Sequence, residues 1–410
     1  MNRAVLLVLA TTTLAAGALA CSGNDSSAPS GASGDTTGAP DAGNAVVKDA
    51  TTADGTTTTD AAGGSKTDGS KTGSADGAPQ DAGAASDGAA DAASCALGDQ
   101  GEPLDLSCTG LYTDWASKTV SPDVLAYDPG LHLWSDGADK NRWIWLPPGT
   151  QIDTSDMDEW TFPAGTKIWK EFSFNGQRVE TRLLWKSSVA AWYLTTYRWS
   201  ADQTTAPEFT EGALNVNGQG YEIPPQTACT TCHNGRLDEV LGFEAVTLSS
   251  PLATGFTMSP LVSGNWLTNP PAMPLVIPGS ATTSAALGYL HINCGTSCHN
   301  RGNGNASKTG FYTRLEVSQL VDGGVEATDT WQTGVKISGL YKIPGVATTY
   351  RLDPNDVNAS SVYYRMDHRD PADAGDGGDA SAVQMPPLAT HMVDEAGVAS
   401  IAAWINAGCE

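Results

Sequence analysis

Ile168-Trp169-Lys170-Glu171-Phe172-Ser173-Phe174-Asn175-Gly176 is the stretch from which the rest of this chain of 410 residues can be read. Ile168, Lys170, Phe172 and Phe174 share one parity and Trp169 and Glu171 the other, the period of a strand. Asn175-Gly176 then supplies two adjacent residues that tolerate positive φ, the strongest short hairpin signal. The return strand carries Val179, Thr181, Leu183 and Trp185 on one face. A third strand is predicted over Trp192-Tyr193-Leu194-Thr195-Thr196-Tyr197-Arg198-Trp199.

Working outward, tryptophans recur from Trp115 to Trp199, and the spacing predicts an antiparallel β domain over residues 95–221, arranged as a sandwich. Pro224-Pro225 closes it. The character then changes. Ala286, Leu287 and Leu290 mark a helix over 282–292. Asp394 is an N-cap for a helix ending at Asn406 before Gly408, with Val398, Ile401, Trp404 and Ile405 as its buried stripe. The fold class expected is α+β, a β domain followed by a mostly helical domain over 222–410.

The first twenty residues read as an export signal: Arg3, then an apolar run too short to span a bilayer, then Ala18-Leu19-Ala20 before Cys21. The Ala-Leu-Ala-Cys ending resembles a bacterial lipobox, which makes Cys21 the expected lipidation site. Residues 22–94 hold eleven Asp and three Lys, with no Trp, Tyr, Phe, Ile or Leu. Such a segment cannot offset the entropy of ordering, so residues 21–94 are expected to be a lipid-anchored acidic tether, with a reach of ~45–50 Å. The Asp-rich run over 367–379 has the same composition and reads as a solvated loop. The formal net charge of −24 excludes a nucleic-acid binder held by phosphate neutralisation. Membrane contact is expected through the anchor only, placing the protein in the cell envelope, in the periplasm or at the outer membrane.

Cys229-Thr230-Thr231-Cys232-His233 carries the chemistry. Two thiols at this spacing can each add to one vinyl group of a haem, and the following His can supply the proximal imidazole. A disulfide-exchange Cys-x-x-Cys needs no such His, and a zinc site needs two more ligands. Cys294-Gly295-Thr296-Ser297-Cys298-His299 looks like the same device with one residue added, which Gly295 could absorb; the alternative is a Cys294–Cys298 disulfide. Met385, in Gln384-Met385-Pro386-Pro387-Leu388, is the preferred sixth ligand for the second haem, or for a single one, with Met366 and Met392 as rivals. Met258, Met273, His291 and His391 are candidates at the first. His132 and His368 read as surface or hydrogen-bonded residues. Of the remaining thiols, Cys95–Cys108 is the local pairing, and Cys409 could reach either.

In Leu133-Trp134-Ser135-Asp136-Gly137-Ala138-Asp139, Glu180-Thr181-Arg182-Leu183-Leu184, Tyr197-Arg198-Trp199, Leu241-Gly242-Phe243, Tyr289-Leu290-His291-Ile292-Asn293-Cys294, Met385-Pro386-Pro387-Leu388 and Ala403-Trp404-Ile405, the chain resembles a widespread group of exported haem-c proteins over residues 110–407. That resemblance implies a β-rich first half, a cytochrome c-like second half, haem binding and electron transfer, with no substrate and no named redox partner. The functions to weigh are an envelope electron carrier with one or two covalent haems, a di-haem redox enzyme such as a peroxidase, and a cell-surface binding module whose cysteines are only structural.

Overall fold

Asn175 and Gly176 take φ of 49° and 77°, the pair of positive values that a two-residue turn needs to match strand twist. They join β5 (Lys167–Phe174) to β6 (Gln177–Ser188), with Phe174 opposite Gln177. The computed structural model describes residues 95–410 except 217, 219, 273, 322 and 370–382. The export signal, Cys21, the tether, Met273 and most of the Asp-rich run therefore lie outside the described residues.

The chain from Cys95 onward lies within one compact unit. A short ribbon of β1 (Tyr112–Asp114) and β2 (Thr119–Val120) comes first. The main sheet follows, with β3 (Leu125–Asp128), β4 (Asp139–Trp145), the β5–β6 hairpin, β7 (Ala191–Arg198) and the two-residue β8 (Thr254–Gly255). It is antiparallel, in the order β7-β6-β5-β4-β3-β8. The molecule is thus mixed α+β. The second sheet of a sandwich is represented, among the described residues, only by the β1–β2 ribbon.

Because residues alternate across a strand, the sheet has two distinct faces. One presents Trp143, Trp169, Leu183 and Tyr197 to Leu106, Leu111, Tyr112 and Val124 of the N-terminal segment. That segment is pinned at its start by a Cys95–Cys108 disulfide, the local pairing expected. The other face presents Ile144, Ile168, Leu184 and Leu194 to Val240, Phe243, Leu261 and Leu267. The β strands and the chain beyond residue 222 therefore share a core, and β8 joins the sheet from the far side of that position. Each fully buried aliphatic or aromatic side chain contributes roughly 1.5–3 kcal/mol over exposure.

The helices are short: α1 (Cys229–His233), α2 (Ala245–Leu248), α3 (Met258–Ser263), α4 (Ala281–Leu290), α5 (Val317–Val321), α6 (Asp329–Gly334), α7 (Ser361–Asp367) and α8 (Glu395–Asn406). Two correspond to the helices expected. Ser280 caps α4 by accepting Thr283 N–H, and Asp394 caps α8 by accepting Gly397 N–H. Val398, Ile401, Trp404 and Ile405 bury against Ala286, Leu287 and Leu290 of α4. A glycine inside a helix is costly, yet Gly397 is required: a Cβ there would stand 2.3 Å from the Tyr289 ring.

Candidate functional site

The first Cys-His turn is α1 itself, in which one helical turn sets Cys229, Cys232 and His233 side by side. Both thiols are free and half-buried. Burial pushes each above the usual thiol range. An exchange-active Cys-x-x-Cys shows the opposite, a lowered pKa.

His233 donates from Nδ1 to the carbonyl oxygen of Glu239 at 2.5 Å. A carbonyl can only accept, so the proton is fixed on Nδ1 and Nε2 is left as a lone-pair donor. Burial also pulls the ring down to about 4, which keeps the imidazole neutral. The Glu239 carbonyl is itself held in place. Glu239 has φ 57°, and its neighbour Asp238 accepts from Phe162 N–H at 2.6 Å, from Trp192 Nε1 at 2.9 Å and from Lys186.

The second turn repeats the device. Cys294 and Cys298 are free, and burial pushes them to about 12 and about 11. His299 donates from Nδ1 to the Phe311 carbonyl at 3.1 Å, again leaving Nε2 open, and burial lowers it to about 4. Arg351 fixes that carbonyl's loop by donating to Thr309 O and Gly310 O at 2.6 Å each. The added residue is absorbed by a widened turn. After α4 the backbone continues as a π-helix over His291–Gly295. His299 N–H then reaches Cys294 O, five residues back, at 2.8 Å. A π turn is the usual form of one residue inserted into an α-helix. Gly295 serves a different need: a Cβ there would lie 2.4 Å from Arg314 N.

The two turns are in contact. A Cβ on Gly235 would stand 1.9 Å from Ser297 O. Ser297 Oγ donates to Cys232 O at 3.3 Å, Asn300 Nδ2 to Gly235 O at 3.2 Å, and Asn305 Nδ2 to Thr231 O at 2.8 Å. Backbone meets backbone there because residue 235 has no side chain. Even so, among the described residues no group of three or more His, Cys, Asp or Glu is placed to hold a bare metal ion.

The other expected ligands have varied fates. Met385 is half-buried, and its N–H donates to Arg365 O at 2.9 Å. The charges of Arg365 and Arg351 in turn act on His299. Met366 and Met258 are buried in the two large cores and Met392 is exposed. His291 has both ring nitrogens engaged, Nδ1 accepting Leu315 N–H at 2.9 Å and Nε2 facing Glu244 Oε1 at 3.2 Å. His391 Nε2 pairs with Glu222 at 2.7 Å, and His132 Nε2 with Asp128 at 2.6 Å. His368 Nδ1 donates to Tyr364 O at 2.6 Å.

The motif around Trp134 wires the sheet to this region. Asp136 accepts the N–H groups of His391 and Met392 at 3.0 and 2.9 Å. Asn293 accepts Trp134 N–H at 2.7 Å and donates to His132 O at 3.1 Å. Beside α1 the sheet face turns basic. Register places Arg142 opposite Lys170, and Lys170 opposite Arg182, with Lys140 two residues before Arg142. Lys170 and Arg182 act electrostatically on Cys232 and His233, and Arg182 also on Cys229. Arg182 is paired bidentately with Glu180 at 2.9 and 2.6 Å. Arg142 lies 3.7 Å from Asp128. Gly235, Asp238 and this basic row escape a linear reading, because each depends on pairings between distant segments.

No family model, curated protein or solved structure matches the chain.

Proposed function

We propose that the protein is an exported c-type cytochrome lipoprotein that transfers electrons. Cys229 and Cys232 would hold one haem, with His233 supplying an iron ligand, and Cys294 and Cys298 a second, with His299. The observation that carries this reading is the shared state of the two imidazoles. Each donates Nδ1–H to a backbone carbonyl and keeps Nε2 free beside two unpaired thiols. Orienting the outer nitrogen in this way is how a protein prepares a histidine ligand. Haem iron, once bound, supplies the one-electron couple. Around it the chain neutralises, orients and encloses. Because all four thiols are free, they support attachment over structural pairing. The added residue in the second cluster is no obstacle to a second haem, since the π turn restores a hydrogen bond between the first Cys and the His.

The region from 222 to 410 then acts as a cytochrome c-like haem domain set against the β sheet. Met385 is proposed as the sixth ligand of the second haem. Cys21 is the proposed lipid anchor, holding the protein in the periplasm or at the outer-membrane surface. The reading proposed is an electron carrier, ahead of a peroxidase.

The test is direct. The protein is produced in a periplasm with haem-attachment machinery, denatured, stained for covalent haem and weighed. Two haems per chain are expected, and one in Cys298→Ala. A colourless band ends the reading. A count that Cys298→Ala leaves unchanged removes the second site.

A further inference from the structure

We propose that Lys140 and Lys170, flanked by Arg142 and Arg182, form a seat for two carboxylates, the propionate side chains of the haem attached at Cys229 and Cys232. This inference rests on the attachment reading above and adds the residues that receive the polar edge of the group.

Four cations lie on one face of three adjacent strands, with Arg142, Lys170 and Arg182 directly opposite one another. Like charges at such positions destabilise a sheet. Two of the four have anionic partners within the chain: Arg182 has Glu180, and Arg142 has the more distant Asp128. No hydrogen bond or ion pair reaches either lysine ammonium among the described residues. Asp139 and Asp394 are near enough to act on Lys140 without contact. Lys170 has Phe172 beside it, at 5.0 Å from the ring centroid.

Neither lysine is free in solvent. Both are half-buried, and Arg142 is 7% exposed. Burial, followed by the charges of Arg142 and Arg182, pushes Lys140 down to about 8, and Lys170 well below the usual lysine range. A lysine half-buried among like charges keeps its proton only when an anion lies beside it. The row lies beside α1: Cys229 packs on the core that holds Ile168 and Leu184, which share the sheet face of Lys170 and Arg182, and both cations act on the thiol of Cys232 and the ring of His233. A haem brings two carboxylates, and the row holds two lysines without a hydrogen-bonded or ion-paired partner among the described residues.

The test compares Lys140→Gln, Lys170→Gln and Lys170→Arg with the wild type and with Lys342→Gln, which removes an exposed lysine. All are made in a haem-attaching periplasm, weighed for covalent haem and titrated for midpoint potential. Reduction adds a negative charge, so removing a cation beside the haem lowers the potential. The expected order is wild type and Lys170→Arg together, with Lys140→Gln and Lys170→Gln both lower, and Lys342→Gln unmoved. Haem present at full count with all potentials equal overturns this inference and leaves the attachment reading intact. A wild type without haem overturns both. Titrating wild type with inorganic phosphate or acetate at fixed ionic strength separates the sources of carboxylate. No shift is expected where propionates fill the seat, and a saturable shift would assign the row to a free oxyanion instead.

Discussion

Replacing Gly235 by alanine tests the contact between the two Cys-His turns. The added Cβ would lie 1.9 Å from Ser297 O, and 2.6 and 2.9 Å from the carbonyl carbon and Cα of the same residue. Ordinary contact is ~3.5 Å, so the two segments must separate by ~1.5 Å. All three obstructing atoms are backbone, so no rotamer can relieve the clash. Overpacking of this kind costs ~1–3 kcal/mol, and more when backbone must move. The upper end is expected here, because separation also stretches the bonds from Ser297, Asn300 and Asn305 to the first turn. For a folded body spanning residues 95–410, a loss of ~3 kcal/mol lowers the melting temperature by roughly 4–5 °C. Thermal unfolding followed by circular dichroism measures it, with covalent haem counted on the same samples. A variant melting with the wild type would show that the turns are not packed backbone to backbone, and the argument for a paired site would go with it.

Three other features of the fold can be perturbed in the same way. If Met385 ligates the second proposed haem, Met385→Ala should lower one midpoint potential while leaving the covalent haem count unchanged, because a thioether ligand favours the reduced iron; an unchanged redox titration would remove Met385 from the proposed site. Burial, opposed by Val317 N–H and Arg314, raises Asp158 from 3.8 to about 6. The folded state therefore keeps this proton longer than the unfolded chain, and stability falls as pH rises from about 4 to 6. Asp158→Asn should stabilise at pH 7 by on the order of 1–2 kcal/mol, with the gain vanishing near pH 4; an equal gain at both would refute the burial argument. Replacing Cys95 and Cys108 together by serine opens a link across 13 residues and should cost ~3 kcal/mol, read by denaturant midpoint, and a midpoint within error of wild type would mean the segment is held by other contacts.

Local signals were legible where the chain is in contact with its near neighbours. The Asn175-Gly176 turn, the alternation around Trp169, the cap at Asp394 and the stripe of α8 all depend on residues a few positions apart. The same holds for Cys95 and Cys108, and for the two Cys-His turns as units. What remained hidden depends on register and long-range packing. β8 pairs with β3 across more than a hundred residues, which sequence periodicity cannot foresee for a strand of two residues. Lys170 was visible as a polar residue on a face with Phe172, but its neighbours Arg142 and Arg182 become neighbours only through strand pairing. Gly295 was expected to absorb the added residue by backbone freedom. Instead the π turn does so, while Gly295 makes room for Arg314. His291, a candidate ligand by type, is fully occupied by Leu315 and Glu244.

The basic row on β4, β5 and β6 also bears on how firmly the sheet is held. Two lysines and two arginines lie side by side on a sheet face that is also the floor of the shared core. An anion that binds this row in the folded state alone stabilises the fold by mass action, and resistance to proteolysis rises with it.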